Sequence, residues 1–152
     1  AAAASRFDGE AGKLLELFTG GGELRHLVLL GVGGGDEPDW EKAGGALTAR
    51  FLTSGVEEVA VDLSALGSSP APKSVARFAA AAAQRGWRHD AYRTKLPENS
   101  RPTLKRVVIA GVPDGTDAAW AAQAAVTEGL ALTRTLVAEP PKDVDSGDRR
   151  YV

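Results

Sequence analysis

The sequence predicts one α/β domain over residues 1–137, a mostly parallel mixed sheet flanked by helices. Three observations carry that prediction. Apolar runs at 27–32, 56–63 and 104–112 have the length of strands, stretches with apolar residues at helical spacing lie between and after them, and Gly, Pro and Ser punctuate the boundaries. Strands that alternate with helices of about 10 to 20 residues describe β-α-β units, whose right-handed crossovers set neighbouring strands parallel. A chain of 152 residues suits a single core, able to bury roughly 68 to 70% of the surface that the unfolded polymer exposes.

The elements follow in order. Residues 9–18 place Ala11, Leu14, Leu15, Leu17 and Phe18 on an approximate helical face, and Gly20, Gly21 and Gly22 break it. The near-continuous apolar run 27–32, closed by Gly33, Gly34 and Gly35, reads as a strand covered on both faces. Asp36 then offers an N-cap and Pro38 a first-turn residue for a helix in which Trp40, Ala43, Leu47 and Phe51 recur to about Thr53. Val59, Val61 and Leu63 alternate along the strand 56–63, and a Ser/Gly/Pro-rich loop leads into an alanine-rich helix from about Pro72 to Gln84, closed by Gly86. The mixed pattern of 87–94 predicts a half-exposed edge strand, 95–103 a loop, and 104–112 a third apolar strand. Asp114 or Thr116 is the expected cap of a final helix through Trp120 and Ala131 to about Val137, stopped by Pro140 and Pro141. The charged tail 138–152 reads as a linker.

Composition excludes several function classes. With 18 basic against 20 acidic side chains there is no basic footprint for nucleic acid, whose binding is driven by counterion release to clustered Lys and Arg. No cysteine is present, which removes disulfides and thiolate metal sites and fits a reducing, cytoplasmic compartment. No apolar run reaches the roughly 18 residues that suggest a membrane span, and the start has no basic-then-apolar secretory pattern. The chain has no Met, which is the expectation for a segment cut from something longer.

Among candidate chemical motifs, the turn of Gly31, Gly33, Gly34 and Gly35 comes nearest to a phosphate cradle, because glycines let backbone N–H groups approach an anion at a helix start. Asp36 stands where the third glycine of a dinucleotide fingerprint belongs, and its carboxylate would repel phosphate. A cofactor site at this turn is therefore the weaker alternative to a plain strand-to-helix turn. His26 and His89 form no i,i+4 pair, and Ser54, Ser64 and Ser74 sit in no nucleophile elbow. The carboxylates Glu57, Glu58, Asp143, Asp145 and Asp148 read as solvated surface. Trp40, Trp87 and Trp120 are expected in core packing, and Arg134, one turn before a helix end, at the C-terminal carbonyls or an acidic neighbour. No catalytic and no metal-ligating residue is predicted in this chain.

Three stretches carry a resemblance: Arg6-Phe7-Asp8-Gly9-Glu10-Ala11-Gly12, then Leu29-Leu30-Gly31-Val32-Gly33, and the long run from Gly129 through Arg134 to Pro140 and Pro141. Together with the WRHDAYRTK segment at 87–95 they resemble, in order, the N-terminal domain of the leucyl aminopeptidase family (peptidase M17). This chain departs from the family pattern at Ala138 and Lys142, where the family commonly has Asn. The resemblance implies a macro-domain-like fold, with one or two family strands preceding the Arg6 segment, and a linker that leads to a catalytic domain. It further implies that two divalent metal ions, Zn or Mn, sit in that catalytic domain and not here. The full-length parent would then be a cytoplasmic, hexameric metalloexopeptidase that removes N-terminal residues from peptides, with no nucleic acid or membrane partner. A macro-like ADP-ribose or nucleotide-binding module is the alternative that the same fold and the Gly31–Gly35 turn suggest.

Overall fold

The computed structural model describes residues 6–19 and 25–139. The expected glycine break at 20–22 and the expected linker with its two prolines lie outside these residues. The order is β1 (Leu14–Thr19), β2 (Arg25–Leu30), α1 (Glu37–Phe51), β3 (Glu58–Asp62), α2 (Pro72–Gly86), a 3-10 turn (Glu98–Ser100), β4 (Arg106–Ala110) and α3 (Thr116–Ala138).

The expected parallel pairing holds for β3 and β4, which run in register from Glu58 beside Arg106 to Asp62 beside Ala110. β2 departs from it. It pairs antiparallel with β1, Leu14 opposite Leu30 and Phe18 opposite His26, so the described strands form two separate two-stranded sheets. The helix expected at 9–18 is thus replaced by a strand. Positive φ at Gly9 and Gly12 interrupts any helix there, and the leucines that suggested a helical face also satisfy a two-residue alternation, which pairing with β2 selects. Antiparallel pairing also undoes the expectation that the 27–32 run is covered on both faces. Val28 and Leu30 turn to the core, whereas Leu27 faces outward at 52% exposure.

α1 begins as its residues dictate. The Asp36 carboxylate accepts the Asp39 N–H at 2.9 Å, Glu37 and Asp39 complement the positive helix start, and Arg50 complements the end. Its stripe Trp40, Ala43, Leu47 and Phe51 is buried with Val75 and Phe78 of α2, and Leu14, Val28, Val59, Val61, Val107 and Ile109 close over this cluster from both sheets. α1 and α2 approach at Gly44, where a Cβ would stand 2.1 Å from the Phe78 carbonyl oxygen. The Thr48 hydroxyl donates to the Ala82 carbonyl across the same seam at 3.0 Å.

Residues 87–94 form no strand. The chain turns at Asp90, whose carbonyl accepts the Arg93 N–H, and Trp87, His89 and Tyr92 gather their rings. α3 starts at Thr116 without the expected side-chain cap. Gly115 occupies the cap position with φ of 86°, and the Thr116 hydroxyl donates back to the Pro113 carbonyl at 2.7 Å. α3 packs against α2. Trp40 is buried as expected, but Trp120 is 37% exposed.

Candidate functional site

The glycine turn is built from two sequence segments that meet. A Cβ on Gly31 would stand 2.2 Å from the Glu10 carbonyl oxygen, so only glycine lets the end of β2 lie against the 9–12 loop. The loop and the turn then exchange backbone bonds. Gly12 N–H donates to the Gly31 carbonyl, Gly31 N–H to that of Lys13, and Gly33 N–H to that of Gly9, all at 2.8 to 2.9 Å. Gly35 N–H donates to the Val32 carbonyl, and Gly34 N–H to the Asp39 carboxylate at 2.7 Å. Each of the four candidate N–H groups, those of Gly31, Gly33, Gly34 and Gly35, is therefore committed within the fold. The position that a phosphate would take at Gly34 is held by the carboxylate of Asp39, not by that of Asp36.

A charged cluster ties the hairpin to α1. The Arg50 guanidinium donates to Glu16 of β1, and His26 of β2 bonds the same carboxylate at 2.9 Å while stacking on Phe18 at 4.5 Å. Arg50 holds the Glu16 carboxyl below its ordinary value of 4.5, with His26 adding to the effect and partial desolvation opposing it. A depressed folded-state value means that the unfolded chain binds the proton more readily as pH falls. Stability from this cluster is accordingly full above 4.5 and lost as pH drops through the lower folded value. Thermal unfolding of the Glu16→Gln variant, followed between about pH 6 and pH 3, is expected to show a shallower acid-side loss than the parent.

The second histidine lies elsewhere. His89 stacks with Trp87 and tilts against Tyr92, and its Nε2 is buried with no hydrogen-bond partner among the described residues. Arg134 turns not to the carbonyls of its own helix end but to the neighbouring helix: its Nη1 donates to the Gln84 carbonyl of α2 at 3.0 Å, and its guanidinium covers the Trp87 ring. Two clefts flank α3. One of ≈ 620 Å³, between α2, β4 and the helix start, is lined by Ala79, Val107, Ile109 and Trp120. The other, ≈ 1010 Å³, is bordered by Lys42, Arg85, Trp87 and Arg134. Ser54 and Ser64 bond locally, to the Phe51 carbonyl and the Asp62 carboxylate, and the Ser74 side chain is buried in α2. Glu57 and Glu58 pair with Lys105 and Arg106 at the surface. Asp143, Asp145 and Asp148 lie outside the described residues.

Among the described residues, no three His, Cys, Asp or Glu side chains converge where a metal ion would need them. No helix among the described residues is long and apolar enough to cross a membrane.

Residues 1–96 match the profile of the cytosol aminopeptidase family, N-terminal domain. The chain belongs to this family. It is 37% identical over 148 residues to a probable cytosol aminopeptidase of a Bradyrhizobium species, and 34% identical over 145 residues to that of Methylorubrum populi. In both comparisons 93% of this chain is covered but only 29% of the relative, so the chain spans less than a third of the length of these aminopeptidases. Its fold is similar to part of a tomato leucine aminopeptidase, with a TM-score of 0.70 and 22% identity over 92% of this chain and 28% of the other. A bottromycin maturation enzyme, solved in complex with Mn, gives the same TM-score over 91% of this chain and 29% of its own. The aminopeptidase N-terminal segments picked out in the sequence, 6–12 and 29–33, are the two that interlock at Gly31.

Proposed function

We propose that this chain serves as the non-catalytic N-terminal domain of a leucyl-aminopeptidase-type metalloexopeptidase of the cytoplasm. The single observation that carries the reading is the correspondence of nearly the whole chain with 29% of the cytosol aminopeptidases it resembles. On this reading the segment 138–152 leads to a catalytic domain, two divalent ions are held there, and full-length chains assemble as hexamers with peptides as substrates. The domain contributes shape and contact surface, and its two small sheets are portions of the mostly parallel, macro-like mixed sheet of the family's complete N-terminal domain. A nucleotide-binding role finds no support at the glycine turn, since its donors are already bonded and Asp39 takes the anion's place.

The test is hydrolysis of leucine p-nitroanilide with added manganese or zinc. The same reading frame extended past Val152 is expected to cleave it, and the 152-residue chain to remain at background. Turnover by the short chain would place the chemistry within it and sink the reading.

A further inference from the structure

We propose that the turn at 87–92 is a clasp that sets the direction in which the chain leaves the domain, with Tyr92, Arg134 and Glu139 as its positioning residues; the consequence for catalysis rests on the aminopeptidase-domain reading above. Of the four stretches that carry the family resemblance, 6–12 and 29–33 interlock at Gly31. The other two, 87–95 and the run from Gly129, meet at the end of α3. Their contact is a closed circuit. The Arg134 guanidinium lies over the Trp87 ring at 5.8 Å, Trp87 stacks with His89 at 6.4 Å, His89 tilts against Tyr92 at 5.6 Å, and the Tyr92 hydroxyl donates to the Glu139 carboxylate at 2.6 Å. Both ends of this row of rings return to the same helix end, so it spans about one and a half turns of α3. Arg134 Nη1 also donates to the Gln84 carbonyl at 3.0 Å, which fastens that turn to the end of α2.

The helix end has few supports of its own. No basic residue stands in its last turn, Glu139 caps it in an extended conformation where a left-handed glycine would be usual, and Val137 is 82% exposed. The last turns of a helix fray unless tertiary contacts hold them. Here the contacts come from Gln84, Trp87 and Tyr92, and because the rings link Arg134 to Glu139 the parts of the clasp support one another. On the aminopeptidase reading the catalytic domain is reached through Glu139. A fixed helix end gives that domain a fixed starting direction.

In the full-length protein, Tyr92→Phe removes only the donor hydroxyl, Glu139→Ala removes the acceptor, and Glu139→Gln keeps an oxygen that accepts. Amide exchange of peptides covering 133–139 is expected to quicken about tenfold in Tyr92→Phe and in Glu139→Ala, no further in the double variant, and to stay at the parent rate in Glu139→Gln. Peptides of α1 over 43–51 are expected not to change, which separates loosening of the clasp from loss of the fold. The kcat for leucine p-nitroanilide is expected to follow the same pattern, with a fall of about threefold or more at unchanged KM. Exchange at 133–139 that does not respond, or that responds additively to the two changes, overturns the clasp. A response in exchange with kcat unmoved overturns its positioning role. A parent without turnover sinks the aminopeptidase reading alone, and the exchange cycle then decides the clasp by itself.

Discussion

Replacement of Phe78 by Ala is expected to cost about 3 to 5 kcal/mol of folding free energy. Phe78 is 1% exposed and sits where α2 meets α1, its ring edge-on to Trp40 at a centroid distance of 6.1 Å. Truncation removes the transfer free energy of the ring and leaves a cavity that two alanine-rich, closely set helices have few long side chains to fill. For a domain of this size each kcal/mol moves the unfolding midpoint by roughly 2 to 4 °C, so a fall of the order of 10 °C is the calorimetric signature. A fall of only a degree or two would mean that the α1/α2 seam is not the centre of the core.

The second large effect is expected from the opposite change on the same seam. Gly44→Ala adds one methyl group to α1 where its Cβ would stand 2.1 Å from the Phe78 carbonyl oxygen, a backbone atom that cannot swing aside. In an exposed helix the substitution would stabilise by up to about 1 kcal/mol through helix propensity. Here overpacking dominates, and the helices must separate at a cost of about 1 to 3 kcal/mol. Gly45→Ala is the control, since nothing stands within 4 Å of its Cβ and propensity is the only force left. Denaturant midpoints that move down for Gly44→Ala and up for Gly45→Ala confirm the contact; movement in the same direction for both refutes it.

Which parts of this fold were legible in the sequence follows from where the deciding physics acts. α1 and α2 were readable almost to the residue because their determinants are local: a capping Asp36, Pro38 and Pro72 in the first turns, and an apolar stripe of period near 3.6. β1 was misread because the run from Leu14 to Phe18 satisfies both periods, and only its pairing with β2 chooses between them. Residues 87–94 alternate like a strand, yet they turn, with His89 stacked on Trp87 and tilted against Tyr92 and with Arg88 paired to Asp90. At the glycine turn the composition suggested free donors, whereas their partners come from residues 9–13 and from Asp39, contacts that a linear pattern does not encode. Asp39 was within reach as a signal, being an acidic residue in the first turn of the helix that the turn opens.

The two small sheets have unequal kinetic standing. In β1 and β2 the paired residues Thr19 and Arg25 are six positions apart, whereas Glu58 and Arg106 of the parallel pair are separated by 48. Loop-closure entropy grows by about 0.6 kcal/mol per doubling of length, so three doublings set the second pairing about 2 kcal/mol behind the first before any contact is made. The whole of α2 lies inside that longer loop, and its docking on α1 shortens the effective distance that β4 must close. Loop-closure entropy thus favours pairing of β1 with β2 before that of β3 with β4, and the β3–β4 pairing gains from α2 being already docked on α1.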